Sequence, residues 1–378
     1  MLKEELKQKI IAYRQTLHQI PELGFTEYKT QAFLHEELTS LGYTPIVTAK
    51  TGLYVFIKGE TDETIAFRSD IDALPIMEQT NLPYSSTHEG KMHACGHDGH
   101  MSILLGFANF LKNHKLKKNV LLIFQPAEEG PGGAKVIVDE GILSKYNVSQ
   151  IFGLHLFPEI NEGMVGLANG PLMAQVGEID LTIHGKSAHG AMPQKGVDAI
   201  VALSSLVQSY QCIISRTLNP LDTGVVTIGK VSGGDARNII CEKVVAEGTI
   251  RAHKQEVYEM IKQRILEINK GLALMYNVQV DTLIRDMYPA LVNDKDLHNF
   301  MISILNKDEY IEVEPLMIAE DFSYYLQEVP GYFILLGCKN EELGFAHPLH
   351  SSCFNFAEKV LFKGVELYIR ISQGLNII

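Results

Sequence analysis

Val120-Leu121-Leu122-Ile123-Phe124, followed at once by Gln125-Pro126-Ala127-Glu128-Glu129-Gly130-Pro131-Gly132-Gly133, decides the fold class. Five apolar residues in a row are strand length. A run that does not alternate with polar residues is buried on both faces, as in a parallel sheet covered by helices. The run ends in two adjacent carboxylates. In open α/β sheets the crevice outside the carboxyl ends of the strands is where ligands bind. Working outward, Thr64-Ile65-Ala66-Phe67 reads as a second strand and runs into R-S-D-I-D-A-L-P, which puts Asp70 and Asp72 just past its carboxyl end. Ile151-Phe152-Gly153-Leu154 reads as a third, ending at His155. Three buried strands thus each deliver a polar residue of ligand type to one crevice.

Between the first two strands lies M-H-A-C-G-H-D-G-H, residues 92–100. Thiolate, imidazole and carboxylate are the side chains that hold borderline divalent metals. Cys95 and His97 are two apart, so an extended segment projects both to the same side. A helix is predicted from about residue 100 to 111, with Ile103, Leu104, Phe107 and Leu111 on one face.

The N-terminal 42 residues read as two amphipathic helices, broken at Pro21 and Gly24. His18 and Glu22 flank that break and read as a surface turn. The pattern changes near Gly177. Residues 178–184 alternate like a half-exposed strand and lead to G-K-S-A-H-G. A helix over 197–216, strands over 224–230 and 244–252, a helix over 255–273 and a strand over 278–284 follow. The order β-α-β-β-α-β is the ferredoxin-like arrangement. The expected domains are therefore 1–176, an inserted domain at 177–287, and 288–378, which completes the first. In the last part, Tyr332-Phe333-Ile334-Leu335-Leu336 feeds a loop bearing His347 and His350. The fold class is α/β: a mixed, largely parallel sheet flanked by helices, with an inserted α+β domain.

Composition bounds the partners. The chain has 378 residues, 46% hydrophobic, too many for one ordinary core. Its net charge of −12, with acids and bases interspersed, argues against nucleic acid or an anionic membrane. The start, M-L-K-E-E-L-K-Q-K, lacks an apolar signal core, and no run is long and apolar enough to span a bilayer. Five scattered cysteines are not a disulfide framework and fit a reducing cytoplasm.

Cys95, His97, Glu129, His155 and His350 make five plausible ligands, more than one metal takes from protein, so two divalent metals fit better. Two close cations acidify a water and polarise a carbonyl, which suits attack on an amide. Glu128 and Glu129 leave the backbone in different directions. One can ligate while the other moves the proton. Asp70 is placed to hold a ligand imidazole by its second nitrogen. Two other classes compete: a thiol hydrolase with Cys95 as nucleophile, and a non-catalytic metal-dependent binding protein.

These segments, together with L-H-Q-I-P-E-L-G, G-K-S-A-H-G-A-M-P, G-G-D-A-R-N-I-I and E-G-T-I-R, make the chain resemble the metal-dependent amidohydrolases. That group holds aminoacylases, hippurate hydrolases, auxin-conjugate hydrolases and N-acetyldiaminopimelate deacetylases, relatives of co-catalytic zinc carboxypeptidases. The motifs span nearly the whole chain in the family's order. The resemblance implies a zinc-peptidase-like catalytic domain with an inserted lid. It implies two divalent ions, manganese or zinc, with cobalt or nickel as further candidates, on Cys95, His97, Glu129, His155 and His350. It assigns Glu128 as general base, Asp70 as the catalytic aspartate and His189 as oxyanion stabiliser. Asn238 and Arg251 would hold the substrate carboxylate, for which an arginine fork is suited. The carboxypeptidases carry a histidine ligand where this chain has Arg68, and an aspartate bridge in the region of Cys95, which suggests the Cys95 thiolate as bridge. Deacetylases of N-acetyldiaminopimelate tend to show G-K-G-G-H-A-A and L-H-H where this chain has G-K-S-A-H-G-A and L-H-S-S. The expected activity is therefore hydrolysis of N-acyl amino acids. N-acetyldiaminopimelate deacetylation is the second reading, and a dipeptidase or carboxypeptidase on the same metals is the third. The expected partner is a small molecule, not nucleic acid or membrane, with a homodimer formed through the inserted domain.

Overall fold

The computed structural model describes residues 2–378. They form two compact units. The first holds residues 2–170, Asn293–Glu314 and Asp321–Ile378; the second holds Pro171–Val292 and Pro315–Glu320.

The first unit opens with α1 (Glu4–His18), α2 (Tyr28–Ser40), β1 (Ile46–Thr48), β2 (Gly52–Ile57) and β3 (Thr64–Asp70). Next come α3 (His97–Leu111), β4 (Asn119–Gln125), α4 (Gly133–Asp139), α5 (Ile142–Lys145), β5 (Val148–Asn161) and β6 (Val165–Leu167). After the second unit's β7 (Pro171–Met173), β8 (Gln175–His184), α6 (Ala199–Cys212), β9 (Gly224–Gly233), β10 (Lys243–Ala252), α7 (Gln255–Tyr276), β11 (Gln279–Asp286) and β12 (Leu291–Val292), the chain returns. It closes with α8 (Lys295–Ile304), β13 (Tyr310–Glu312), α9 (Ser323–Leu326), β14 (Gly331–Lys339) and α10 (Lys359–Gly374).

The first unit's sheet runs β1-β2-β4-β3-β5-β14-β6-β13. Its centre is parallel: β4 with β3, β3 with β5, β5 with β14. The antiparallel pairs are β1 with β2, β2 with β4 and β14 with β6. Every residue of β3 and β4 is buried, as the unbroken apolar run requires. Helix α3 packs against α1 and α10. It passes close because Gly106 has no side chain; a Cβ there would lie 2.8 Å from Ile10 Cγ1 and 2.9 Å from Val365 Cγ2. Fully buried Ile10 and Leu17 of α1 join that core, each worth about 1.5–3 kcal/mol of burial.

Three boundaries differ from the sequence reading, and all bear on the site. β3 continues to Asp70, so only Asp72 lies beyond its end. α3 begins at His97, not at residue 100. β5 does not stop at His155: it pairs with β3 only as far as Gly153, while its pairing with β14 goes on to Asn161. His155 therefore sits where β5 has lost one neighbour and the sheet opens. The surface turn expected at His18 and Glu22 is instead buried. Glu22 Oε2 accepts the Lys29 and Thr30 amides at 2.8 and 3.0 Å, groups a helix N-terminus leaves without partners.

In the second unit the sheet order β11-β8-β10-β9, antiparallel throughout, with α6 and α7 in the connections, is the ferredoxin-like topology. Ile179, Leu181 and Ile183 of β8 pack with Leu203, Leu206, Tyr258 and Ile261 in its own core. This unit reaches beyond residues 177–287. β7 pairs with β12, and the Leu316 amide donates to Leu172 O at 2.8 Å.

Candidate metal centre

The five expected ligands come from four places in the first unit. Cys95 lies in the turn before α3, and His97 is that helix's first residue. Glu129 follows β4, His155 is inside β5, and His350 follows β14. His350 has φ +63° and its amide donates to Ala94 O at 2.9 Å, which ties its loop to the cysteine turn.

The structure gathers these side chains. Donor atoms of Cys95, His97 and His155 all lie within 4.8 Å of one another, and so do those of Cys95, Glu129 and His350. Cys95 belongs to both triads. Its Sγ is 3.4 Å from His155 Nε2, and His350 Nε2 is 3.1 Å from a Glu129 oxygen. Glu128 joins a third group with His97 and Glu129 and is only 6% exposed.

The imidazoles are oriented from behind. His97 Nδ1–H donates to the Asp72 carbonyl at 2.9 Å, leaving Nε2 buried and without a hydrogen bond. His155 Nδ1–H donates to Leu156 O at 2.7 Å, which turns its Nε2 lone pair toward Cys95. Fixing the tautomer through the far nitrogen is how ligating histidines are held. Burial pulls His97 down, but Asp70, Asp72 and Glu129 outweigh it and lift the imidazole to about 10. For Cys95, burial and the carboxylates Glu129 and Glu128 push the thiol far up. Both shifts report one field: acceptor-rich, negative and dry, a place that favours a cation. The donor set of thiol, carboxylate and three imidazoles fits divalent metals of zinc type.

Asp70 does something other than expected. Its Oδ1 takes the Nδ1–H of His100 at 2.7 Å, and its Oδ2 takes Arg68 Nη1 at 2.8 Å, while His97 Nε2 is 3.7 Å away. Burial alone would raise Asp70, but His97, His100 and Arg68 hold it well below the usual carboxylate range. His100 in turn accepts the Leu156 amide on Nε2 at 2.9 Å. That lone pair is spent, so His100 is a brace between α3, β3 and β5 and not a donor to metal. The residue behind a ligand imidazole is Asp72, whose Oδ2 also accepts the Glu129 amide at 3.0 Å. Sequence reasoning set Asp72 at the end of its strand and His100 in the donor-rich motif but gave neither a role. The D-I-D spacing, which places two carboxylates on one side of an extended chain, was the available signal for Asp72.

His189, Asn238 and Arg251 belong to the second unit. His189 is exposed and its Nδ1 accepts the Ala191 amide at 3.1 Å. The Gly190 amide donates to Asn238 O at 2.7 Å, which sets His189 and Asn238 side by side. Arg251 stands on β10, half-buried, donating to Thr249 Oγ1 and, at 3.0 Å, to Ile250 O.

Comparison with known proteins finds a family and relatives that cover most of the chain. The model of the family described as "Peptidase family M20/M25/M40" matches residues 66–373. A Geobacillus sp. (strain WCH70) protein named N-acetyldiaminopimelate deacetylase is 39% identical over 365 residues, covering 95% of this chain and 96% of the relative. A Bacillus subtilis (strain 168) protein of the same name is 39% identical over 366 residues, covering 95% and 96%. A Bacillus subtilis crystal structure described as a dinuclear metal binding peptidase from the M20 family superposes with TM-score 0.87 at 30% identity, covering 100% of both chains.

Proposed function

Because the chain belongs to peptidase family M20/M25/M40 and is thus a hydrolase, we propose that it hydrolyses the linear amide of N-acyl amino acids at two divalent metals. The observation that carries this is the shared cysteine: two donor triads meet at Cys95, with the Glu128 carboxylate beside them. Cys95, His97 and His155 would hold one ion and Cys95, Glu129 and His350 the other, manganese or zinc being the first candidates. Bound divalent ions supply an acidified water and a polarised amide carbonyl.

The chain's own residues do the rest. Glu128 takes a proton from the attacking water and returns it to the departing nitrogen, so that amide and water become carboxylic acid and amine. Asp72 and the Leu156 carbonyl hold the imidazoles of His97 and His155 in the right tautomer. Asp70 acts at one remove, through His100. His189 is proposed to stabilise the oxyanion and Asn238 and Arg251 to hold the substrate carboxylate, as the family resemblance suggests. The relatives' names favour N-acetyldiaminopimelate as substrate. The 185–191 and 349–352 motifs keep other N-acyl amino acids in contention. A cytoplasmic location is supported by five cysteines that are all free. A homodimer through the second unit is also proposed.

The deciding experiment is a hydrolysis panel on manganese- or zinc-loaded protein, with N-acetyldiaminopimelate, N-acetyl-methionine and hippurate. One or more should be cleaved, chelation should abolish it, and Glu128→Gln should lower kcat by about 10²–10⁴ with metal retained. Turnover that survives complete metal removal, or a Glu128→Gln enzyme at full rate, ends the proposal. A covalent acyl-enzyme seen by intact-mass spectrometry would install Cys95 as nucleophile instead.

A further inference from the structure

Glu27 has no part in the chemistry above, yet it is fully buried and aimed at the loop that carries Glu128. It sits at the N-terminal end of α2. One carboxylate oxygen accepts the Ala127 amide at 2.9 Å; the other accepts the Thr51 hydroxyl at 2.5 Å. Ala127 is the residue before Glu128 and holds φ +55°, the left-handed region that residues with a Cβ avoid. Its own carbonyl accepts the Gly132 and Gly133 amides at 3.0 and 3.1 Å, so the loop folds back around it. The segment before Glu27 presses on the same turn: a Cβ at Gly24 would lie 2.5 Å from Gly130 O and 2.9 Å from Ala127 Cβ. Two more carboxylates grip this loop further on, Asp72 at the Glu129 amide and Asp321 at the Ala134 amide.

Rotation about the Ala127 N–Cα bond decides where Glu128 points. Anchoring the amide fixes one end of that bond, and the Gly132 and Gly133 amides on the Ala127 carbonyl fix the other. We propose that Glu27 is a positioning residue for the general base: it holds the Ala127 amide so that the left-handed turn persists and the Glu128 carboxylate faces the metal donors. This inference rests on the assignment of Glu128 given above. The link is mechanical. Glu27 is fully buried and its carboxylate is bonded to Ala127 and Thr51, so its loss should act on turnover and leave binding of substrate and metal in place.

The test compares two variants of matched size in the full-length, metal-loaded enzyme. Glu27→Gln keeps an oxygen that can accept the Ala127 amide; Glu27→Met keeps the volume and accepts nothing. Glu27→Gln should retain kcat within about threefold. Glu27→Met should lose roughly tenfold to hundredfold in kcat, as small misplacements of a catalytic group do, with KM and metal content within about threefold of wild type. A crystal structure of Glu27→Met should show Ala127 out of the left-handed region and Glu128 displaced. Adding Ala127→Gly, which tolerates positive φ unaided, should restore most of the lost kcat. Equal kcat in Glu27→Met and wild type, equal damage in both Glu27 variants, or an unmoved Ala127 would each overturn the inference. Should Glu27→Met fail to fold, Glu27→Leu in the otherwise wild-type enzyme carries the same comparison. If the wild type cleaves nothing on the panel, the functional reading falls, and the crystal structures alone decide whether Glu27 holds the turn.

Discussion

Arg68→Met offers the sharpest test of how the floor of the site is built. The guanidinium is 1% exposed. It donates to Asp70 Oδ2 at 2.8 Å, to Asp321 Oδ1 at 2.9 Å and to Gln125 Oε1 at 2.8 Å. Methionine keeps an unbranched apolar stem of similar length and removes the charge, leaving two carboxylates in the interior without it. Removing one partner of a buried ion pair costs about 3–5 kcal/mol, against about 0–1 kcal/mol for an exposed pair. At about 2–4 °C per kcal/mol for a domain of this size, melting of the first unit should fall by about 6–20 °C. The pH dependence has a definite sign. Burial lifts Asp321 to about 6 even with Arg68 pulling it down, and loss of the arginine lifts it further. A carboxyl whose folded pKa exceeds its unfolded value loses stability as pH rises through the folded value. The deficit should therefore be largest at pH 8 and shrink toward pH 5. Thermal melts by far-ultraviolet circular dichroism suit a chain with no tryptophan. Arg68→Met with Asp321→Asn should recover most of the loss, since asparagine can still accept the Ala134 amide. Melting within 2 °C of wild type at pH 8, or a deficit that grows on acidification, would refute the reasoning.

Cys95→Ser should cut bound metal from two ions per chain to one or fewer, counted by inductively coupled plasma mass spectrometry; two ions retained would show that the cysteine does not join the triads. His18 lies 2.8 Å from the buried Asp98 and 3.2 Å from the half-buried Glu78. Burial pulls it down, but those carboxylates outweigh burial and raise it to about 9. Its contribution, on the order of 3 kcal/mol, is fully present below about pH 6.5 and lost as pH rises through about 9. His18→Gln should flatten the decline in melting temperature between pH 7 and 10, and parallel slopes in the two proteins would remove His18 as its source.

The expected site residues that the structure brings together share one property: each lies next to a strong local pattern. The run before Glu128 and Glu129 announces a buried strand, and M-H-A-C-G-H-D-G-H concentrates donors in nine residues. What escaped the reading depends on contacts between distant segments. His100 looks as good a ligand as His97. Only the Leu156 amide on its Nε2, 56 positions away in sequence, removes it from the donor set. Glu27 looks like an ordinary helix-start acid until the loop after β4 is laid against it. His18 and Glu22 look like solvated polar residues because their partners, Asp98 and the α2 amides, are invisible in a pattern of hydrophobicity.

Periodicity and residue chemistry by themselves pointed to a mixed, largely parallel sheet flanked by helices, to an inserted ferredoxin-like unit, and to a metal-type donor set with a candidate carboxylate base. Those are properties of short stretches, set by which side chains can be buried and which can donate a lone pair. The tertiary structure alone decided that Cys95 serves two triads, that Asp72 and not Asp70 backs the His97 imidazole, and that β5 runs on past His155. Each of these is fixed by where separate strands stop pairing and by which single lone pair a buried amide claims, and neither quantity is written in the local order of residues.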